Sequence, residues 1–107
     1  MTRLTSEVLG DALTHFATAE TYGLRNLADQ AVVDAVCLRI SAGIEALARL
    51  DSDTRDELFG EDWPLMWGMR NRIVHGYMLV DASIVRQTLV DDIPLIVGKI
   101  HTFLDAV

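Results

Sequence analysis

Hydrophobic residues recur three or four positions apart through most of the chain, the spacing that places side chains on one face of an α-helix. The first such segment follows Ser6, a residue type that caps helices, and runs to about Tyr22, where Gly23 can end it. Its apolar positions are Leu9, Ala12, Leu13 and Phe16. The pattern predicts a helix over about 6–22.

The second segment, from about Asp29 to Leu50, has the clearest division into an apolar and a polar face. The apolar stripe consists of Val33, Val36, Cys37, Ile40, Ile44 and Leu47, and the opposite face carries Asp34, Ser41 and Glu45. The chain has one cysteine, so an internal disulfide is impossible. A position on the apolar stripe predicts that this cysteine is buried and inert.

Two shorter helices are predicted in the middle of the chain. Cap-forming residues at 51–53 open the first, and Gly60 can close it in a left-handed conformation. The second begins at 62–64, where Pro64 fits the first turn because its missing N–H would have no partner there. It continues to His75, and Gly76 is its natural terminator.

Asp81 is placed to cap a long last helix, which Pro94 should kink or divide. Its apolar positions are Ile84, Val85, Leu89, Ile93, Ile96, Ile100, Phe103 and Leu104. The whole pattern predicts an all-α fold, an antiparallel four- to five-helix up-and-down bundle that forms a single domain over residues 1–107.

Composition and charge bear on whether the protein forms an oligomer, binds nucleic acid or associates with a membrane. Half of the residues are hydrophobic, which favours an oligomer because a small domain would leave apolar surface uncovered. The net charge of -7 argues against a broad basic surface for nucleic acid, although Arg70 with Arg72 supplies a candidate local basic cleft. No apolar run reaches the roughly 18 residues of a membrane span, and the N-terminus lacks a signal pattern. We therefore expect a cytoplasmic protein with no membrane association.

The segment from Met69 to Tyr77 contains an arginine, four residues, a histidine, one residue and a tyrosine. Helix geometry places Arg70 and His75 about 140° apart around the axis and about 7.5 Å apart along it, so one chain does not bring them together well. Near one face of this helix fall Gly68, Asn71, Arg72 and His75, and its apolar stripe consists of Met66, Met69 and Ile73. Two copies of this helix packed about a two-fold axis would place both His75 rings and both Arg70 guanidinium groups around a shared groove.

This Arg-x4-His-x-Tyr motif resembles the signature of the HEPN ribonuclease toxins of the HepT type. The resemblance extends over about 29–95 and includes the stretch 43–46 (Gly-Ile-Glu-Ala), Trp63 before the motif, and Val80 with Asp81 after it. It implies a symmetric homodimer, or a larger oligomer, with a composite cleft at the two motifs. It also implies a metal-independent endoribonuclease toxin with catalytic Arg70 and His75 and no cofactor.

The residue types fit that chemistry. RNA cleavage without a metal needs a base for the 2′-hydroxyl proton, an acid for the leaving 5′-oxygen, and cations for the phosphorane charge. Histidine as a residue type can accept or donate a proton near neutral pH, which suits His75 to both proton transfers, and the planar fork of Arg70 matches phosphate oxygens. The predicted product end is a 2′,3′-cyclic phosphate. Asn71 can orient the ring or hold a phosphate. Arg72 can bind the RNA backbone or be merely solvated.

The resemblance also implies a partner. In this family the antitoxin resembles a minimal nucleotidyltransferase, and the pair forms a type VII-like toxin–antitoxin system. The antitoxin is implied to silence the toxin by attaching AMP to Tyr77. Such a group would bring negative charge and bulk into a cleft built for an anion.

Alternative interpretations remain open. The chain could be a non-catalytic HEPN binding subunit that docks a nucleotidyltransferase or holds a nucleotide, or a dimeric helical scaffold in which the motif is structural. A histidine at a helix end is commonly a partner for backbone carbonyls. Trp63 and Trp67 are expected to pack in the core or the dimer contact rather than stack on bases. His15 and His101 lack a second ligand at metal-binding spacing, so no metal site is expected.

Overall fold

The computed structural model describes residues 2–76 and 81–106, and within them the chain forms helices and no strand. In chain order the elements are α1 (Arg3–Gly23), α2 (Gln30–Leu47), α3 (Ser52–Phe59), α4 (Asp62–Gly76), α5 (Ala82–Gln87), a π-helical segment (Thr88–Asp92) and α6 (Ile93–Asp105). The all-α prediction is confirmed. None of the described helices is both long enough and apolar enough to cross a membrane.

Aspartate side chains begin three of the helices by accepting a hydrogen bond from a backbone N–H in the first turn, which would otherwise lack a partner. The acceptors are Asp29 before α2, Asp51 before α3 and Asp81 before α5. A backbone hydrogen bond from Thr54 lowers the pKa of Asp51, and a hydrogen bond from the Ser83 hydroxyl lowers the pKa of Asp81. The helix starts predicted at these residues are confirmed.

Two predicted helix boundaries need correction. Thr2, and not Ser6, caps α1: its hydroxyl accepts from the N–H of Thr5 at 3.0 Å, so the cap lies four residues earlier than predicted. Gly60 does end α3 with a positive φ of 52°, but its ψ of -123° lies outside the left-handed helical region. Glycine is still required there, because L side chains rarely adopt that backbone conformation.

The core is centred on α1 and α2, which pack along their length, and α4 and α6 cover it. The stripe predicted for α2 is buried throughout. Ser41 was wrongly assigned to the polar face: it is buried, and its hydroxyl donates to the carbonyl oxygen of Leu38 at 3.0 Å. Cys37 is buried as predicted, and burial, together with the charge of Asp34, raises the pKa of its thiol.

Gly43 allows α2 to lie directly against the ring of Phe16, which is fully buried. A Cβ atom at this position would overlap the ring edge, and the ring cannot move because it fills the centre of the core. We expect Gly43→Ala to lower the free energy of unfolding by about 1–3 kcal/mol. Thermal or urea unfolding measures this, and Gly10→Ala on α1, where a Cβ meets open space, is the control. Equal stability of both variants would contradict the close packing.

Pro94 divides the last helix, as predicted. The N–H of Ile93 donates to the carbonyl oxygen of Thr88, five residues earlier, and Pro94 then lies in the first turn of α6. A proline in a helix interior removes one hydrogen bond and crowds the carbonyl four residues before it, and the wider π-helical segment accommodates both effects. Among the apolar positions of this last part of the chain, Val85 is buried and Ile84 is half exposed.

Candidate active site

Helix α4 carries the Arg-x4-His motif and is held against α2 by its apolar stripe. Met66 and Ile73 are buried and Met69 is partly buried, as predicted. The opposite side of the helix is open: His75 is exposed, Asn71 is half-buried, and the position of a Cβ on Gly68 has no atom within 4 Å. The described chain therefore presents the outer face of α4 to solvent.

The guanidinium of Arg70 is held by three neighbours. Oε1 of Glu45 on α2 accepts from Nε at 2.8 Å and lies 2.6 Å from Nη2, so the two residues form an ion pair between helices. Oδ1 of Asn71 accepts from Nη1 at 3.1 Å. The ring of Trp67 lies beneath the guanidinium, with its centre 4.7 Å from Cζ. Arg70 is thus fixed in both plane and direction.

Trp67 belongs to a short stack of aromatic and cationic side chains along α3 and α4. Its ring stacks on that of Trp63 with 5.8 Å between centres, and Cζ of Arg55 lies 4.9 Å above the Trp63 ring. Both tryptophans are half-buried and pack against the core, which confirms the predicted packing role. The stack connects these two tryptophans, which pack against the core, to Arg70 of the motif. The sequence did not predict this connection.

The structure does not place His75 beside Arg70 within one chain. Their positions differ by five residues on α4, and Arg70 leans towards α2 while the ring of His75 is exposed. Among the described residues, the side-chain hydrogen bonds of α4 involve Asp62, Arg70 and Asn71, and none involves His75. The described contacts therefore give no support to a capping role for this histidine.

Arg72 lies on the other flank of α4 and is exposed. It lines a groove of about 590 Å³ between α4 and α6, whose floor and walls include Met66, Leu95 and Ile96. Residues two positions apart on a helix point about 160° away from each other, so Arg72 faces this groove while Arg70 faces Glu45. The predicted basic cleft formed by Arg70 with Arg72 is therefore not present within one chain.

Asn71 contacts Arg70 through its side-chain oxygen, a contact different from both predicted roles. Tyr77, the predicted site of AMP attachment, lies outside the described residues, as does Val80. No three histidine, cysteine, aspartate or glutamate side chains in 2–76 and 81–106 group closely enough to hold a metal ion. The site built by the described residues thus consists of Arg70 with its three neighbours and the exposed His75.

Sequence reasoning did not give Glu45 a role, although it noted the residue in the stretch 43–46. The sequence does contain one indication of such a role: Glu45 lies on the polar face of α2, and Arg70, a residue of opposite charge, lies on the side of α4. The two residues are 25 positions apart, and only the packing of α2 against α4 brings them into contact.

An all-helical domain with an arginine and a histidine five residues apart near the end of a surface helix defines the class: a HEPN-type domain. A family model described as "Ribonuclease HepT-like" matches residues 9–102 of the 107 residues, and the chain belongs to this family. No curated protein and no solved structure matches the chain. Family membership agrees with the resemblance drawn from the motif and indicates ribonuclease-type activity.

Proposed function

We propose that this protein is the endoribonuclease toxin of a type VII-like toxin–antitoxin pair. In this proposal it cuts RNA without a metal, in a composite cleft that two copies of α4 form in a homodimer. A minimal nucleotidyltransferase antitoxin silences it by attaching AMP to Tyr77. Membership in the ribonuclease HepT-like family supports the nuclease part, and the motif supports the part played by the tyrosine.

The observation that carries the proposal is the separation of the two catalytic candidates on α4. Arg70 is oriented and partly buried on one flank, whereas His75 is exposed on another side of the helix. A second copy of α4 can approach over Gly68, where the space for a side chain is open. Two-fold symmetry would then supply two imidazoles and two guanidinium groups to a single RNA strand.

The chemistry assigns one role to each group. The 2′-oxygen of the ribose attacks the adjacent phosphorus while one His75 accepts the 2′-hydroxyl proton. The bond from phosphorus to the 5′-oxygen breaks, and the second His75 donates a proton to that oxygen. The two products are a 2′,3′-cyclic phosphate and a free 5′-hydroxyl. Arg70 stabilises the extra negative charge on the phosphorane oxygens.

The direct test is RNA cleavage by the purified protein in the presence of EDTA. We expect cleavage to continue after chelation and the 5′ fragments to end in 2′,3′-cyclic phosphate, because the proposed acid, base and charge stabiliser are side chains. Mass spectrometry of the fragments identifies their ends. Loss of cleavage in EDTA that Mg²⁺ restores would contradict the mechanism.

A non-catalytic binding subunit is the second candidate, and the net charge of -7 favours it because RNA phosphates are repelled by an acidic body. This candidate predicts that the purified dimer binds the nucleotidyltransferase but leaves RNA intact under all conditions. The same cleavage assay, repeated with Mg²⁺ and with Mn²⁺, separates the two candidates.

A further inference from the structure

Glu45 on α2 is the ionic partner of the motif arginine and is a residue to which no function has been assigned so far. The Glu45 side chain is 45% exposed and the Arg70 side chain is 21% exposed. An ion pair this close to solvent contributes little to folding stability. Its main effect is therefore on the direction of the guanidinium, which the carboxylate contacts at both Nε and Nη2.

The hydrogen bonds to Arg70 leave part of the guanidinium available. An arginine has five N–H donors, of which Nε donates to Oε1 of Glu45, while Nη2 lies in ion-pair contact with the same oxygen. Nη1 donates one hydrogen bond to Asn71, so each terminal nitrogen keeps at least one N–H without a hydrogen-bond partner among the described residues. Since Trp67 covers one face of the group, a phosphate can reach the two terminal nitrogens while Glu45 holds the Nε edge.

We propose that Glu45 is a positioning residue for RNA cleavage, acting through Arg70 by fixing which guanidinium edge meets the scissile phosphate. This inference rests on the proposed ribonuclease function. Two effects of the carboxylate act on different kinetic constants. Fixing a long, flexible side chain in advance raises kcat, because the catalytic group is already oriented when RNA binds. The negative charge repels RNA phosphates and raises KM.

The test is Glu45→Gln, which removes the charge and the ionic hold but keeps the size of the side chain. We expect kcat to fall by about tenfold to 100-fold, because misplacement of a catalytic group by about 1 Å can cost about 100-fold. KM should fall in the same variant, because a like charge has left the cleft. Glu45→Asp keeps the charge but shortens the side chain, so its kcat should lie between those of the wild type and Glu45→Gln.

Asp11→Asn is the matched control. Asp11 on α1 accepts from Arg49 at 3.4 Å in another exposed ion pair between chain segments, and its side chain is 57% exposed. The substitution removes the same charge from a surface that lacks the motif. We expect kcat to stay at the wild-type value and thermal unfolding to match that of Glu45→Gln. Equal kcat values for Glu45→Gln and Asp11→Asn would overturn the positioning role.

A second measurement keeps the inference testable if the wild type does not cleave RNA. The Nε–H signal of Arg70 in the ¹⁵N-labelled protein, assigned by its loss in Arg70→Lys, reports how firmly the guanidinium is held. Its hydrogen exchange should be slow in the wild type and Asp11→Asn but fast in Glu45→Gln. Exchange that is unchanged in Glu45→Gln would overturn the inference, whatever the outcome for nuclease activity.

Discussion

Replacement of His75 by alanine is expected to remove RNA cleavage while leaving the helices and the proposed dimer intact. Proton transfer by a positioned side chain contributes about 100-fold to 10,000-fold to such reactions, so the cleavage rate should fall by at least about 100-fold. The His75 ring is exposed, so its removal should change the free energy of unfolding by no more than about 0.5 kcal/mol. Single-turnover cleavage of a labelled RNA in EDTA measures the rate.

His101→Ala is the matched control for this prediction. His101 is also exposed but lies on α6, away from the motif. We expect its cleavage rate to equal that of the wild type, and circular dichroism and light scattering should show the same helix content and mass for both variants. If His75→Ala keeps wild-type activity, the assignment of this histidine as acid and base is wrong.

Co-expression with the proposed nucleotidyltransferase antitoxin is expected to attach one AMP to Tyr77 and to abolish cleavage. The phenolic oxygen would attack the α-phosphorus of ATP and release pyrophosphate, which leaves a negatively charged phosphodiester beside the motif. That charge should repel the RNA backbone from the cleft. Intact mass and peptide mapping detect the adduct, and the cleavage assay measures its effect.

Tyr77→Phe should escape this modification and remain active, because it lacks the accepting oxygen. The chain has one other tyrosine, Tyr22, which is half-buried on α1. Tyr22→Phe is therefore the control and should be modified and silenced like the wild type. AMP on a residue other than Tyr77, or full inhibition of Tyr77→Phe by the same antitoxin, would contradict the prediction.

Helical periodicity was sufficient to predict the all-α class, the stripe of α2 and the inward face of α4. These features depend on residues three or four positions apart, which a sequence displays directly. Thr2 was missed as a cap because three residues of suitable type, Thr2, Thr5 and Ser6, precede the first apolar stripe. The burial of Ser41 was missed because its hydroxyl bonds to a carbonyl of its own helix, which removes the penalty for leaving water.

The candidate site could be predicted only in part. The motif identifies Arg70 and His75, and 100° per residue already indicates that they do not share a face. The same rule separates Arg70 from Arg72, so these two side chains do not form a basic cleft within one chain, and a cleft that contains both would need a second copy. The contact of Glu45 with Arg70 depends on which helices are neighbours and at what depth they pack. Local patterns do not contain that information.

The π-helical segment has a consequence for the way in which the last part of the chain meets the core. Five residues of regular α-helix turn through about 500°, which would leave Ile93 about 140° away from the direction of Thr88. Both residues are buried, since the wider turn brings Ile93 back towards the side that Thr88 occupies. The extra residue in the π-helical turn thus keeps the buried faces of α5 and α6 on the same side of the chain. Both helices can then pack against one side of the core, although their apolar residues are irregularly spaced in the sequence.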